Sequence, residues 1–298
     1  MKIPTKYKGL LCSLGASLSF AFMSAMVHLS GDLPSMQKAL FRNLPALIVT
    51  FIFMQARHVS FRVEPRNRAS MAGRCLSGTV GLLLNFYAID HLVLADANML
   101  NKLSPFFAIL FSAILLQERL DAAQIVGVVS AFLGALFIIR PSGAGAALLP
   151  SVLGAISGMG AGLAYTFVRK LGKSGERDVR VVFYFSLVST VITLPYFLVA
   201  GKAMSGRQFL VLMGAGLGGA MGQMFITRAY FYAPARELSV YDYIQVLFAA
   251  IFGRILFGQI PDLLSFLGYA VIIGTAIVMF RYNHRSDPLS SPGHIPPE

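Results

Sequence analysis

A lysine lies in the middle of a long apolar stretch, where burying a charge is expensive. Lys102 is about nine residues into the stretch 93–116, a depth of about 13 Å in a helix that rises 1.5 Å per residue. Asn98 and Asn101 precede it, and Pro105, which follows it, removes one backbone hydrogen bond. Charges at such positions bind ligands or pair with a neighbouring helix. Lys102 is therefore either an anion-binding cation or half of an ion pair.

A second ionisable residue, Asp242, lies about six residues into the apolar stretch 237–257. Its carboxylate has three possible roles: an ion pair with Lys102, binding of a substrate amine, or transfer of a coupling proton. Tyr243 and Gln245 follow it and add hydrogen-bonding groups. These residues predict a polar site that is shared by two helices and contains both a cation and a carboxylate.

Other polar side chains in apolar stretches extend this site. Arg42 lies deep in the stretch 36–55, which favours a role in a cavity, and Lys38 lies one helical turn away on the same face. Lys38 and Arg228 are secondary candidates for substrate binding, because long basic side chains near helix ends more often reach the membrane interface. Further hydrogen-bonding candidates are Asn85 and Tyr165, with Gln223 as a third secondary candidate. Close helix packing is the alternative role for these three.

Neither catalytic residues nor a cofactor is predicted. The two cysteines, Cys12 and Cys75, lie in or beside apolar stretches, and no Cys/His cluster has the spacing of metal ligands. The glycines at 214–219 match the spacing of a dinucleotide-binding loop, but they lie inside an apolar stretch and no strand precedes them. Close packing of helices explains these glycines, and we expect the protein not to be an enzyme.

The composition identifies the elements that hold these residues. Of the 298 residues, 56% are hydrophobic and 13% are charged, about half of the ~25% charged residues in a soluble protein. A helix needs about 20 apolar residues to cross the hydrocarbon core. The sequence predicts an all-α integral membrane protein with ten transmembrane helices, at 9–29, 36–55, 71–90, 93–116, 122–140, 148–169, 179–200, 208–231, 237–257 and 262–281.

The placement of basic residues predicts how these helices are oriented. The chain has 25 Lys and Arg against 13 Asp and Glu. With both termini in the cytoplasm, cytoplasmic segments hold seventeen of the 25, Arg74 included, and external segments hold three. Such a bias is typical of cytoplasmic loops, so both termini are predicted to be cytoplasmic and nucleic acid is not an expected partner. The proline-rich residues 282–298 predict a disordered cytoplasmic tail.

The sequence also repeats itself with an offset of 141 residues. Three glycines at 73, 78 and 81 match those at 214, 219 and 222, and Asp121 matches Asp262 without a gap. Residues 1–141 and 148–281 are therefore predicted to be two repeats of five helices each. Because five is odd, the second repeat enters the membrane from the opposite side, and inverted repeats commonly support alternating access.

The closing segment of each half carries a resemblance to a known family. Residues 85–140 and 226–281, together with Pro105, Gly127 and the pair Phe41–Arg42, are similar to the EamA-type members of the drug/metabolite transporter (DMT) superfamily. The second copy departs from the pattern at Val246 and Gln259, where the first has Pro105 and Glu118. The resemblance implies a ten-helix carrier with a central site, in a bacterial inner membrane, working as a monomer or homodimer.

These observations together predict a secondary transporter whose partners are a small-molecule substrate and the lipid bilayer. The expected substrate is a small polar or zwitterionic metabolite, amino-acid-like or a related anionic compound, because basic side chains outnumber acidic ones in the predicted site. Analogy with the family favours export. The alternative is an uptake carrier or exchanger for a compound such as S-adenosylmethionine or a nucleotide, and a membrane enzyme or a non-transporting scaffold is the least favoured.

The predicted topology can be tested with single cysteines in a chain whose two native cysteines are replaced by serine. Arg66→Cys and Lys173→Cys should react with a membrane-impermeant maleimide only when the cytoplasmic side is accessible, and Lys202→Cys should react in intact cells. Labelling of position 66 in intact cells would reverse the orientation.

Overall fold

The structure is a computed structural model that describes residues 5–117, 122–139, 148–232, 238 and 243–285. In these residues all regular structure is helical, with one short 3₁₀ turn at Pro65–Asn67. The α-helices are α1 (Thr5–Leu29), α2 (Ser35–Ala56), α3 (Arg68–His91), α4 (Leu94–Asn101), α5 (Ser104–Leu115), α6 (Ala122–Ile139), α7 (Leu148–Lys173), α8 (Asp178–Ala200), α9 (Gly206–Tyr232), α10 (Ile244–Phe257) and α11 (Leu263–Arg285).

Six helical segments are long and apolar enough to cross a membrane: Lys8–Leu29, Ser35–Ala56, Leu94–Leu115, Leu148–Lys173, Asp178–Ala200 and Gly206–Tyr232. Shorter apolar helices and α3 correspond to the remaining predicted spans. Large apolar side chains such as Ile52, Leu198 and Val199 are exposed on the outer surface, where lipid replaces water. The chain is an integral membrane protein, and the count of ten spans stays a prediction.

The fourth predicted span is not one continuous helix. Helix α4 ends at Asn101, and Lys102 and Leu103 form a turn before α5 begins at Ser104. Pro105 has no N–H, so it cannot donate to the carbonyl of Asn101 as a helix interior residue would. The predicted span 93–116 thus corresponds to Leu94–Leu115, which two helices form together, and the interruption places Lys102 at the break.

The helix contacts are preserved when the two predicted repeats are exchanged. Helix α1 packs on α9 and α3 packs on α7, while α2 crosses α8 and α6 crosses α11. Exchanging the two repeats converts the α1–α9 contact into the α7–α3 contact. The same exchange leaves the α2–α8 and α6–α11 contacts unchanged. Two residues 141 positions apart even touch, because the Tyr243 hydroxyl donates to the main-chain carbonyl of Lys102 at 2.9 Å. The exact bounds of the repeats and their opposite orientation stay predictions.

Glycines let α7 approach the broken span closely. A Cβ atom at Gly158 would lie 2.8 Å from the carbonyl oxygen of Leu100, and one at Gly162 would lie 2.6 Å from that of Ser104. Backbone atoms cannot move aside as the end of a side chain can, so these positions require glycine. This close packing of α7 stabilises the interruption between α4 and α5.

We expect Gly162→Ala to destabilise the fold, because the added methyl group would overlap backbone atoms of α5. Overpacking of this kind costs about 1–3 kcal/mol, which should lower the melting temperature of the detergent-purified protein by several degrees. Gly214→Ala is the matched control, since its Cβ would meet only Met26 at 3.9 Å. Equal melting temperatures for the two variants would contradict this packing.

Candidate functional site

A cavity lined by buried residues lies between helices of both halves. Its volume is about 70 Å³ when counted as space open to the centre of a water molecule, room for roughly five waters at ~15 Å³ each. Helices α1, α2, α3, α4, α7, α8, α9 and α10 and the turn after α4 contribute to its wall. The lining residues are Phe20, Met23, Arg42, Arg74, Gly78, Gly81, Leu82, Asn85, Asn101, Lys102, Ala161, Ala164, Tyr165, Phe185, Gln223 and Gln245.

Among the described residues that line the cavity, three are cations and none is acidic. The side chains of Arg42, Arg74 and Lys102 line it, and these residues are 2%, 2% and 4% exposed. Arginine stays protonated even when buried. The described part of the wall therefore presents positive charge, which favours an anionic group.

Arg42, on α2, is held by short-range contacts with its own helix and with α1 and α9. Its Nη1 donates to the side-chain oxygen of Asn43 at 2.6 Å, and its Nε approaches the Met23 sulfur at 3.4 Å. Longer bonds from Nη2 reach the carbonyl of Gly219 and Oε1 of Gln223, at 3.4 and 3.5 Å. A Cβ at Gly219 would lie 2.7 Å from Nε of Arg42, so the absence of a side chain there makes room for the guanidinium group.

Arg74 is the residue that the sequence interpretation missed, because it was assigned to a cytoplasmic segment. The structure places it inside α3 and at the cavity, which corrects that assignment. Its guanidinium carbon lies 4.1 Å from the centroid of the Phe185 ring. A Cβ at Gly78 would lie 2.0 Å from its Nη1. Gly78 and Gly219 match in the 141-residue register. These repeated glycines are the sequence feature that could have indicated the two buried arginines.

A network of amides connects the cavity wall to α1 and α4. Nδ2 of Asn98 donates to the Leu94 carbonyl at 2.7 Å, which leaves its Oδ1 as an acceptor. That oxygen receives bonds from Nε2 of Gln245 at 2.6 Å and from the Ser24 hydroxyl at 3.2 Å. Asn98 is fully buried behind the wall rather than in it, so it orients Gln245.

Three buried polar atoms in this wall have no hydrogen-bond partner among the described residues. They are Nε of Arg74, Oδ1 of Asn85 and Oε1 of Gln245. Buried polar groups are rarely left unpaired in native proteins. One donor and two acceptors are therefore available to a ligand or to water in the cavity.

The remaining predicted residues are distributed as follows. Asn101 lines the cavity and donates to the Ser157 hydroxyl at 3.0 Å. The Tyr165 ring, in the wall, stacks on Tyr230 with centroids 4.7 Å apart. Tyr243 lies behind the wall, where its hydroxyl bonds the Lys102 carbonyl. Asp242 lies outside the described residues.

Of the three secondary candidates, Gln223 lines the cavity, while Lys38 and Arg228 lie away from it, in ion pairs at helix ends. Nζ of Lys38, on α2, lies 2.5 Å from Oδ1 of Asp90 at the end of α3. Nε of Arg228, on α9, lies 2.7 Å from Oδ2 of Asp178 at the start of α8. Each pair joins the second and third helices of one predicted repeat. Neither basic residue lines the cavity.

No metal centre is found in the part of the chain that the structure describes: no group of three or more His, Cys, Asp or Glu side chains is close enough to hold a metal ion. The cavity wall offers cations, amides, a phenol and aromatic faces instead. These groups can bind and orient an anionic molecule, but they offer no nucleophile with an adjacent base.

The fold and the site define an integral membrane protein with a cavity between its helices that is lined by buried basic side chains. The model of the EamA-like transporter family matches the chain twice, at residues 7–140 and 148–281. The chain belongs to this family, within the DMT superfamily, and it is a membrane transporter rather than an enzyme.

Named relatives agree with this class. The pseudopaline exporter CntI of Pseudomonas aeruginosa is 31% identical over 278 residues, which cover 92% of this chain and 96% of that protein. A riboflavin transporter of Brucella anthropi is 27% identical over 91% of this chain and 95% of its own length. A solved crystal structure shares the fold with a TM-score of 0.68 at 18% identity, covering 94% of this chain and 98% of the other. The bacterial relatives agree with an inner-membrane location.

We expect Lys38→Met to destabilise the protein, because it leaves Asp90 without its cation in a mostly buried setting. Removing one partner of a buried pair costs about 3–5 kcal/mol, and less when one member is partly exposed. The double variant Lys38→Met/Asp90→Asn should recover part of the loss in melting temperature. Arg66→Met is the control, because its pair with Glu64 is exposed and such pairs contribute little. Equal melting temperatures for Lys38→Met and Arg66→Met would contradict the pairing.

Proposed function

We propose that the protein is a secondary transporter of a small polar or zwitterionic metabolite that carries at least one anionic group. The observation that carries the proposal is the described part of the cavity wall, which has three buried cations and no acidic residue. Arg42 and Arg74 have no carboxylate partner among the described residues, and burial of such a charge is unfavourable. An anionic substrate offsets that cost, so binding energy is available to select anions over cations.

The proposed mechanism is alternating access between two inverted repeats. The cavity has contributions from both halves, and the interrupted span places Lys102 beside it, as in carriers whose broken helices form the central site. The Lys38–Asp90 and Arg228–Asp178 pairs each tie the second helix of a repeat to the third. In opposite orientations of the repeats, these pairs would lie at opposite ends of the molecule and stabilise closure of each end in turn.

Export is the proposed direction, and the similarity to a pseudopaline exporter over nearly the whole chain supports it. Uptake or exchange is the alternative. Everted membrane vesicles distinguish the two, because an exporter concentrates its substrate inside such vesicles while an uptake carrier depletes it.

Lys102→Met should reduce transport of the anionic substrate at least tenfold while leaving the melting temperature close to that of the wild type. The measurement is uptake into proteoliposomes of radiolabelled glutamate, malate and phosphate, with choline as the cationic probe. Arg207→Met, at an exposed position at the start of α9, is the control and should transport normally. Transport of choline in preference to all three anions would refute the proposal.

Asp242 is proposed to bind the amine of a zwitterionic substrate. Asp242→Asn and Lys102→Met should then both express normally and lose transport, and the double variant should not recover it. Recovery of expression in the double variant would instead assign the two residues to a structural ion pair. Loss of pH dependence in Asp242→Asn, with exchange intact, would assign the aspartate to proton coupling.

A further inference from the structure

Two buried arginines converge on one aromatic ring in the cavity. The guanidinium carbon of Arg74 lies 4.1 Å from the centroid of Phe185, and that of Arg42 lies 5.5 Å from the same point. The two helices that carry them, α2 and α3, thus present two cations to one region of the wall. The ring face supplies some cation–π stabilisation, but a ring cannot satisfy guanidinium N–H groups in their own plane.

Neither arginine has a carboxylate partner among the residues that the structure describes. Arg42 has one short hydrogen bond to oxygen, at 2.6 Å, and its other oxygen contacts are 3.4 Å or longer. Nε of Arg74 has no partner in that part of the chain. Each guanidinium carries five donors in a planar fork that matches a carboxylate through two parallel bonds. Four of the five Arg42 donors meet an acceptor, but the two bonds from its Nη2 are long enough for a ligand oxygen to replace them. Arg74 keeps the larger donor capacity for a ligand, since its Nε is unpartnered in the described residues.

The amide side chains of the wall offer hydrogen-bond acceptors, whereas the arginines offer donors. Because the Leu94 carbonyl fixes Nδ2 of Asn98, the Oδ1 of Asn98 must accept, and Gln245 must therefore donate to it through Nε2. The Oε1 of Gln245 is left over, and Oδ1 of Asn85 is likewise unpartnered in the described wall. A ligand that satisfies these two oxygens must bring N–H or O–H donors.

We propose that Arg42 and Arg74 form a two-carboxylate subsite, and that the substrate is a compact dicarboxylate with an amino or hydroxyl group. Each arginine takes one carboxylate as a bidentate pair, and the amino or hydroxyl group donates to the amide oxygens of Asn85 and Gln245. The inference rests on the proposed function and narrows its substrate from a molecule with at least one anionic group to one with two carboxylates. Arginine suits this role better than lysine because its planar fork matches carboxylate geometry.

The test is binding to the detergent-purified full chain, followed as ligand-dependent melting temperature and by calorimetry. The probes are glutamate and malate, succinate as the dicarboxylate without a donor group, butyrate as the monocarboxylate, and inorganic phosphate. We expect glutamate or malate to bind at least tenfold more tightly than succinate, and succinate more tightly than butyrate or phosphate. Butyrate or phosphate binding as tightly as the dicarboxylates, or no saturable binding by any dicarboxylate, would overturn the proposal.

Arg74→Gln and Arg42→Gln should each weaken binding of the preferred dicarboxylate about 10- to 100-fold, the range for loss of a charge-assisted bidentate contact, with a smaller effect on butyrate. Arg66→Gln, remote from the cavity, is the matched control. If Arg74→Gln does not fold, Gly78→Ala serves in its place, because the new methyl group displaces the Arg74 guanidinium. Unchanged dicarboxylate affinity in these variants would overturn the subsite. Anion flux in proteoliposomes without a preference for dicarboxylates would overturn it while leaving the proposed function intact.

Discussion

The structure depends on how cations are kept in a buried space whose described lining residues include no acid. Desolvation of an arginine or lysine costs several kcal/mol unless other groups compensate. For Arg42, compensation comes mainly from hydrogen bonds to the side-chain oxygen of Asn43 and to the sulfur of Met23. For Arg74 it comes mainly from the face of Phe185. What remains uncompensated is the binding energy that the site can offer to an anion.

Much of the backbone architecture around the cavity follows from making room for these side chains. Gly78 and Gly219 occupy equivalent positions in the 141-residue register, and at each a Cβ atom would collide with a guanidinium group. On α7, Gly158 and Gly162 let the helix pack directly against main-chain carbonyl groups of the interrupted span. Glycine therefore has two structural roles in this protein. It allows helices to pack closely, and it leaves space for large basic side chains in the interior.

The sequence predicted the helical fold and most of the cavity wall, because an ionisable or amide residue in a long apolar stretch is conspicuous. Lys102, Arg42, Asn85 and Gln245 were found in this way, and all four line the cavity. Arg74 was missed because it was grouped with the loop arginines that precede it, although the predicted span 71–90 includes it. Near the end of a span, residue type and position do not decide between a solvated arginine and a buried one, because the packing of neighbouring helices sets its exposure.

Sequence alone also could not assign Lys38 and Arg228. Their carboxylate partners lie 52 and 50 residues away along the chain, and no local pattern pairs residues at that distance. The same limit applies to Asn98, whose importance comes from three partners on α1, α4 and α10. Proximity between helices, rather than residue type, sets the role of each of these side chains.

The chemical make-up of the cavity wall has a consequence for proton coupling. Among the residues that the structure describes, its lining consists of guanidinium groups, an ammonium group, amides, a phenol and apolar side chains. Free groups of these kinds do not change charge between about pH 5 and 8. The described lining thus offers neither of the two residue types, histidine and carboxylate, that most often carry a coupling proton. If a proton gradient drives this carrier, the proton has to be taken up by a carboxylate or histidine outside this described lining, or be carried across on the transported molecule itself.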